Sequence, residues 1–217
     1  MKHYTNKEIG ELDKLRRANL INSLSGYKPA NLIGTISGAK QTNLAIFSSV
    51  VHLGSDPPLF GFITRPTGEV PRHTYENIME TGVYTINHVH ESFVEKAHYT
   101  SAKFERETSE FAACGLTEEY LENFAAPFVK ESRIKLGLRF VEEMPVKLNG
   151  TILIIGEIEH LFVPENALLE NSNVDLHRAG DACISGLDGY HAVEKAVRFP
   201  FARPDDLPDF DADRRTK

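Results

Sequence analysis

The sequence predicts a mainly β fold with flanking helices, in which antiparallel strands form a meander or a Greek-key-like barrel. Three apolar runs follow one another closely in the chain, at residues 30–36, 43–53 and 59–65. Short turns separate them, one around Ser37-Gly38 and one at GSDPP, residues 54–58, and apolar runs bounded by such residues are typical of strands in hairpins. A second group of strand signals, rich in β-branched residues, lies at 134–140, 145–150 and 151–163. Strands joined by tight turns favour an antiparallel arrangement.

One helix is predicted between the two groups of strands, at TYENIMETG, residues 74–82. Thr74 is the expected N-cap, and Gly82 is expected to end the helix. Ile78 and Met79 are expected to point towards the core. The strand VYTINHV, residues 83–89, is predicted to follow directly.

Shorter helices are predicted elsewhere in the chain. The segment SFVEKAH, residues 92–98, begins with the capping-box pair Ser92 and Glu95. Another short helix is expected near Thr117, and residues 1–25 are expected to be partly helical. Residues 164–200 combine short strand signals with turns.

Length and composition predict a single domain. The chain has 217 residues and a mass of 24.3 kDa, and no internal repeat or linker divides it. We therefore expect one domain over residues 1–200, including a C-terminal extension, and a loose charged tail over residues 201–217. The formal net charge of −7 argues against a nucleic-acid partner.

Cysteine usage and hydropathy predict a cytoplasmic protein. The two cysteines, Cys114 and Cys183, form no CxxC motif, which fits a reducing compartment and provides no disulfide or zinc framework. The first residues are charged and lack the apolar core of a signal peptide. No apolar stretch is long enough to cross a bilayer, so no membrane partner is expected.

The common catalytic and nucleotide-binding motifs do not occur. The sequence contains no GxGxxG after a strand, no GxxxxGK[ST] and no GxSxG. His88 and His90 alternate on a predicted strand, where they form either a polar strand end or two ligands of a metal. The polar strand end is the favoured interpretation, because no third ligand follows at a suitable spacing, and no metal site is predicted.

Polar residues interrupt the apolar run at 43–53, and this needs an explanation. Asn43, Ser48, Ser49 and His52 lie in what reads as a buried strand. Burying a polar side chain without a hydrogen bond costs free energy. Either the fold satisfies these groups internally, or a ligand lies along the strand.

A candidate anion site lies just beyond this region. Arg65 ends the third apolar run, and the helix expected at Thr74 begins shortly afterwards. The free N–H groups and the dipole at a helix N-terminus attract anions, and Arg65, Arg72 or His73 can add positive charge. The alternative is an ordinary capped helix beside a surface arginine.

A resemblance to a known family is carried by three segments in order, KPANLIGT, TNLAIFSSVVHLGSDPPLFGFITRP and HTYENIMETGVYTINHV. Together they resemble the flavin reductase-like family of FMN-binding split barrels. The residues that match the family pattern are Thr35, Asn43, Ser48-Ser49, Pro57-Pro58, Thr74, Asn77-Ile78 and Thr81-Gly82. The segments at 97–116 and 126–132 also fit its middle region, so the resemblance covers about residues 20–163.

The resemblance implies a split-barrel flavoprotein that binds FMN. It implies that the flavin ring contacts backbone and small polar groups along the strand at 43–51, and that the phosphate lies towards Arg65 and Thr74. The residues implied to bind the cofactor are Thr35, Asn43, Leu44, Ala45, Ser48, Ser49, Val50, Arg65, His73, Thr74 and Asn77. His52 is expected to be structural.

The activity implied by the resemblance is that of an NAD(P)H-dependent flavin reductase in which hydride passes directly to flavin N5. No catalytic side chain is expected, because the cofactor carries the chemistry. A homodimer with the flavin near the subunit boundary is also implied. Two alternatives remain: a non-catalytic FMN-binding protein, and a split-barrel protein for another ligand, like the pyridoxamine-phosphate oxidase-like and haem-handling relatives.

Overall fold

The computed structural model describes residues 1–68, 70–208 and 210, and these residues form twelve strands and six α-helices. The strands are β1 (Lys28–Pro29), β2 (Asn31–Ile36), β3 (Thr42–Phe47), β4 (Val51–Ser55), β5 (Pro58–Thr64), β6 (Val83–His88), β7 (Glu118–Glu119), β8 (Phe128–Val129), β9 (Lys135–Val146), β10 (Thr151–Phe162), β11 (Ala182–Ser185) and β12 (Gly189–Ala192). The helices are α1 (Asn6–Glu11), α2 (Lys14–Ser23), α3 (His73–Thr81), α4 (Val94–Tyr99), α5 (Glu110–Ala113) and α6 (Leu176–Ala179). The prediction of a mainly β fold with helices is confirmed.

The main sheet has seven strands in the order β3-β2-β6-β9-β10-β5-β4, and every neighbouring pair is antiparallel. Its two edge strands, β3 and β4, are consecutive in the chain. Only Ser48, Ser49 and Val50 lie between them, and this link spans about 14 Å at most. A flat seven-stranded sheet would be about 29 Å wide. The sheet therefore curls until its two edges approach each other, which makes it a barrel.

The prediction of one continuous strand over residues 43–53 is wrong. The chain leaves the sheet after Phe47 and re-enters it at Val51, on the opposite edge. Ser49 fixes this corner, because its Oγ both accepts from the N–H of Ile63 and donates to the carbonyl of Ile63, at 3.1 Å each. The break falls at Ser48 and Ser49, the polar pair that interrupts the apolar run, but two serines do not by themselves indicate a change from one sheet edge to the other.

The core lies inside the barrel and beneath α3. On β10, Ile152 and Ile154 point into the core, while Leu153 and Ile155 alternate onto the outer face. All six residues of β2 are buried, because this strand is covered on both faces. One face contributes to the cluster that contains Ile78 of α3, and the other contributes to a second cluster with Phe93 and Phe111.

Helix α3 confirms most of the prediction for residues 74–82. Gly82 ends it with a left-handed φ of 73°, and Ile78 is fully buried. Two details are wrong. Met79 is exposed, and the N-cap is Arg72, which makes no side-chain capping bond. Thr74 lies inside the first turn, where its Oγ1 accepts a hydrogen bond from the Asn43 amide.

Other helix predictions have mixed outcomes. Helices α1 and α2 confirm that the N-terminal segment is partly helical. The segment at 92–98 does contain α4, but a 3₁₀ turn precedes it, and Ser92 bonds to His90 Nδ1 at 2.8 Å instead of forming a capping box. The expected helix near Thr117 is wrong. The short strands β7 and β8 occupy that region, and Thr117 bonds to Glu131.

The later strand predictions hold with adjusted ends. Strand β9 runs without interruption from Lys135 to Val146, so 134–140 and the first residues of 145–150 belong to one strand. It forms a long hairpin with β10. The side chain of Tyr84 on β6 lies directly against Gly156 of β10, where a Cβ would overlap the phenol.

The C-terminal extension builds a second, three-stranded sheet in the order β1-β11-β12. Its attachment to the barrel includes a contact of 2.6 Å between His88 Nδ1 and Asp181. Beyond β12, every residue from Glu194 to Pro208 is exposed. Part of the loose tail expected at 201–217, namely residues 209 and 211–217, lies outside the described residues.

The described residues contain neither a membrane-spanning helix nor a cluster of metal ligands. None of their helices combines the length and the apolar character that crossing a membrane requires. Among the same residues, no group of three or more His, Cys, Asp or Glu side chains is arranged to hold a metal ion. His88 contacts Asp181, and His90 contacts Ser92.

Candidate functional site

Four of the residues singled out from the sequence form one buried polar cluster. They come from two strands and one helix: Thr35 from β2, Asn43 from β3, and Thr74 and Asn77 from α3. The Asn43 amide donates to Thr74 Oγ1 at 3.0 Å and to Thr35 Oγ1 at 3.3 Å. The Asn77 amide donates to Thr35 Oγ1 at 3.1 Å. We call these four residues the polar brace.

Local geometry explains why these residues meet. Thr35 and Asn43 are directly opposite each other in the β2–β3 pair, so their side chains share one face of the sheet. Thr74 and Asn77 are three positions apart on α3 and therefore share one face of the helix. The brace joins the two faces and holds the N-terminal half of α3 at a fixed place on β2 and β3. Polar residues in this buried region are thus satisfied largely by one another.

The N-terminus of α3 has no side-chain cap, so its backbone N–H groups remain open to an anion. The first intrahelical bond runs from the N–H of Glu76 to the carbonyl of Arg72, so the N–H groups of His73, Thr74 and Tyr75 precede the helical ladder. Arg72 supplies no capping side chain; its own N–H donates to Glu76 Oε1 at 3.1 Å. Three N–H groups and the positive end of the helix dipole therefore converge here.

A small polar cleft lies beside the brace. It is lined by Ser37, Gln41, Thr42, Asn43, His73, Asn77 and Arg106. Arg106 forms an ion pair with Glu76, and its Nη2 also donates to Asn77 Oδ1 at 3.4 Å. Sequence reasoning missed Arg106 as a site residue. It lies 29 positions from Asn77 along the chain, and no local pattern around it indicates this contact.

Arg65 lies apart from the brace. It is exposed just beyond the end of β5, and among the described residues no hydrogen bond or ion pair joins its side chain to the four brace residues. The residue is therefore exposed to solvent and separate from the brace. Ser48 is half-buried and Val50 is buried at the barrel corner, next to Ser49, whose hydroxyl is occupied by Ile63.

The edge strand β3 is held from outside by α5. The N–H of Leu44 donates to Glu110 Oε2 at 2.8 Å, and Leu44 itself is fully buried. Thr42 Oγ1 bonds to Ser109 at 2.7 Å and to Glu118 at 2.6 Å. The backbone N–H of Leu44 is therefore used within the protein. Ala45 is half-buried and follows it on the same strand.

Glu110 is an unusually buried carboxyl, with an exposed fraction of only 5%. Burial raises the pKa of the Glu110 carboxyl above its ordinary value, while the bond from Leu44 and the charge of His73 oppose the rise. No local pattern around Glu110 indicates this role, because the carboxyl and the N–H of Leu44 that it accepts are 66 positions apart.

The site can bind and orient an anionic ligand, and its arrangement contains no nucleophile–base pair. Its features that favour an anion are the start of α3, His73, Arg106, which also pairs with Glu76, and the exposed Arg65. The corner at Ser48–Val50 adds small side chains and backbone next to a core of aromatic and aliphatic residues. Such a combination suits a ligand with one charged end and one flat apolar end.

Comparison with known proteins gives a consistent result. A family model described as flavin reductase like domain matches residues 27–179. A solved structure of a proposed flavin reductase with a split barrel domain, from Shewanella frigidimarina, is 50% identical, with a TM-score of 0.89 over 93% of this chain and 100% of that one.

Two more distant solved structures share the fold. Nitrilotriacetate monooxygenase component B from Bacillus cereus is 19% identical, with a TM-score of 0.80 over 92% of this chain and 98% of that one. An FMN-binding protein from Thermus thermophilus is 16% identical, with a TM-score of 0.73 over 92% of this chain and 100% of that one. The split-barrel architecture expected from the sequence is therefore confirmed.

Proposed function

Because the chain belongs to the flavin reductase-like family, we propose that it is an FMN-binding oxidoreductase that accepts hydride from NADH or NADPH. The observation that carries the proposal is the start of α3, which has no side-chain cap and is held in place by the polar brace. This feature lies within the segment that the family model matches. The similar protein from Thermus thermophilus is an FMN-binding protein, which favours the same ligand here.

The residues of this chain fit the phosphate of FMN. The N–H groups of His73, Thr74 and Tyr75 are ahead of the helical ladder and suit an anion. Arg65 is exposed, and an arginine fork matches phosphate geometry. One such site favours FMN over FAD, whose second phosphate would need another set of donors.

The brace residues take an indirect role in this proposal. The amide groups of Asn43 and Asn77 already donate to hydroxyl groups of Thr35 and Thr74. Their contribution is to fix the direction of α3 relative to β3. The groups left to contact the ring system are Ala45, Ser48 and the backbone of the corner that ends at Val50. Glu110 and Ser49 keep the strand and the corner rigid.

Bound flavin supplies a ring that takes up hydride from a reduced nicotinamide, so the chain itself needs no catalytic acid or base. Its residues bind the phosphate, orient the ring and exclude water from one face of it. A homodimer and a cytoplasmic location complete the proposal. The homodimer rests on the family resemblance, and the location rests on cysteine usage and hydropathy.

Spectroscopy of the purified protein tests the ligand first. An absorbance spectrum with flavin bands, or tight FMN binding in a fluorescence titration of the apo-protein, is the expected result. Clearly tighter binding of FAD would contradict the single phosphate site. Haem bands, or the bands of a pyridoxal-type chromophore, would show that this split barrel binds another ligand instead of flavin. Anaerobic mixing of the FMN-loaded protein with NADH or NADPH should bleach the flavin absorbance. A flavin that stays oxidised would show that the protein binds FMN but has no reductase activity.

A set of arginine variants tests the phosphate site. Arg65→Ala should weaken FMN by about 1.5–3 kcal/mol, the range for a hydrogen bond to a charged group. Binding of riboflavin, which has no phosphate, should be unchanged in the same variant. Arg16→Ala on α2 is the matched control, because Arg16 is also exposed. If Arg106→Ala weakens FMN and Arg65→Ala does not, the phosphate belongs in the cleft beside Arg106.

A further inference from the structure

An open cleft lies where β9 begins and β10 ends, and we call it the barrel-end cleft. Its volume is about 520 Å³, within the range of about 300–1,000 Å³ that is usual for pockets that bind small molecules. Lys135 and Phe162, which are directly opposite each other in the β9–β10 pair, contribute to its lining. The other lining residues are Leu121, Ser132, Arg133, Val163, Pro164 and Asn166. None of them belongs to the polar brace or to the cleft beside Arg106.

Half of the residues that line the barrel-end cleft are apolar. Leu121, Phe162, Val163 and Pro164 are all half-buried, so each keeps part of its surface exposed. The ring of Phe162 is supported by the fully buried Phe128, which it meets edge to face with the ring centroids 5.5 Å apart. An aromatic side chain that a core neighbour holds in place suits the flat apolar part of a ligand.

The lining of the barrel-end cleft also carries positive charge. Lys135 is buried and forms an ion pair with Glu119, so its charge is balanced within the protein. Arg133 is exposed beside it. The carboxylate of Glu131, close to Arg133 in the chain, accepts from both the N–H and the hydroxyl of Thr117. The two cations of the lining and the one paired carboxylate therefore leave a single positive charge, which belongs to Arg133.

Ser132 adds a buried hydroxyl group whose hydrogen bonds are not satisfied. The residue is only 3% exposed, and its Oγ has no hydrogen-bond partner among the described residues. Its backbone is fixed in the turn after β8, where its N–H donates to the carbonyl of Val129 at 3.2 Å. A buried hydroxyl without a partner costs free energy. Because Ser132 lines the cleft, a ligand there can supply the partner once the side chain takes a suitable staggered rotamer.

We propose that the barrel-end cleft binds a small aromatic carboxylate. The guanidinium of Arg133 pairs with the carboxylate, the hydroxyl of Ser132 donates to it, and the ring of the ligand lies against Phe162 and Pro164. Asn166 offers a further amide donor or acceptor.

The charge of the barrel-end cleft favours a carboxylate over a phosphate. A carboxylate carries one negative charge, which matches the single unbalanced cation Arg133 and its bidentate guanidinium. A phosphate monoester carries a charge of about −1.5 to −2 at neutral pH, so part of its charge would lack a partner here. The inference does not depend on the proposed flavin site, because the two sites share no residue.

Isothermal titration calorimetry of the full-length protein with sodium benzoate tests the site. We expect binding at millimolar concentrations of benzoate or below, both without FMN and with FMN added in excess. Benzamide has the same ring without the charge and should bind at least about tenfold more weakly. The titration without FMN is informative whether or not the chain binds flavin. Absence of benzoate binding, competition between benzoate and FMN, or tighter binding of phenyl phosphate than of benzoate overturns the proposal.

Two variants place the benzoate in the cleft. Arg133→Gln should raise the benzoate dissociation constant at least about tenfold, whereas the control Arg16→Gln, at another exposed arginine, should leave it unchanged. Ser132→Ala should raise the constant about threefold to tenfold. It should not lower the thermal midpoint of the benzoate-free protein, because the hydroxyl has no partner there to lose. Unchanged benzoate binding in Arg133→Gln overturns the proposal, and so does a lowered midpoint in Ser132→Ala with unchanged binding.

Discussion

The two edge strands of the main sheet, β3 and β4, are neighbours in the chain but differ in how their edges are protected. The edge of β3 is covered by α5, where Glu110 accepts the N–H of Leu44 and Ser109 bonds to Thr42. Four of the five residues of β4 are exposed, and Val51 and Leu53 are among them. An uncovered edge strand with apolar side chains is a site for association.

The two ends of the segment from Thr42 to Ser55 therefore have different roles. The covered end carries the polar brace and holds the start of α3 rigidly, as a cofactor site requires. The open end presents Val51 and Leu53 to solvent. Ser48–Val50 connects the two, so the proposed flavin-binding corner lies between a rigid site and an exposed edge strand. The predictions below test this contrast, in order of decreasing effect.

The largest effect is expected from adding a methyl group on the covered side. In Gly34→Ala on β2, the new Cβ would lie 2.6 Å from Thr85 Oγ1 and even closer to the carbonyl oxygen of Pro127. Because backbone cannot move aside cheaply, the variant should lose about 3 kcal/mol of unfolding free energy. The matched change on the open side is Gly54→Ala on β4. Its Cβ meets only the carbonyl of Pro57, at 3.3 Å, and the change should stay below about 1 kcal/mol.

Urea unfolding of both glycine variants measures the loss of unfolding free energy in each. Equal losses would show that β2 on the covered side and β4 on the open side are equally constrained, which would contradict the contrast.

Removing the buried acceptor on the covered edge should have the next largest effect. Glu110→Ala leaves the N–H of Leu44 buried without a partner, which should cost about 1–3 kcal/mol. Glu110→Gln keeps an acceptor oxygen in the same place and should cost less. Thermal and urea unfolding of the two variants decide this point, and equal losses would mean that packing, and not the hydrogen bond, accounts for the effect of Glu110.

The same carboxyl should produce a smaller, pH-dependent effect. Burial raises the pKa of Glu110 in the folded chain above its ordinary value of 4.5, so the folded state binds this proton more tightly than the unfolded state. The contribution to stability is then fully present below the ordinary pKa and is lost as pH rises through the raised folded pKa. Glu110→Gln has no such proton. Its stability should therefore improve relative to wild type as pH rises from about 4 to 7, and a difference that stays flat with pH would contradict the raised pKa.

The smallest effect on protomer stability is expected on the open edge. Leu53→Thr removes apolar surface that is already exposed and keeps a residue suited to a strand. Unfolding measured at a concentration where the chain is monomeric should change by no more than about 0.5 kcal/mol. A larger loss would show that Leu53 belongs to the core of its own chain.

Much of the architecture followed from local patterns. Alternation and turn residues predicted β2, β5, β6 and the long hairpin of β9 and β10, because side-chain period and turn chemistry are local properties. Gly82 predicted the end of α3 for the same reason, since few other residues adopt a left-handed φ of 73° at low cost. The order of motifs from KPANLIGT to HTYENIMETGVYTINHV indicated the family.

Long-range contacts decided what the local patterns left open. Thr74 has the residue type of an N-cap, but its hydroxyl is taken by Asn43, 31 positions away in the chain. The run at 43–53 contains a serine pair, but only closure of the barrel determines that the strand breaks there and that its two parts pair on opposite edges. Glu110 and Arg106 reach the site from a segment whose own sequence indicates neither contact. The sequence by itself determined which segments become strands and which family they form, because those depend on neighbours in the chain. The tertiary structure decided which polar groups bond to one another and which remain free for a ligand, because those bonds join residues that only folding brings together.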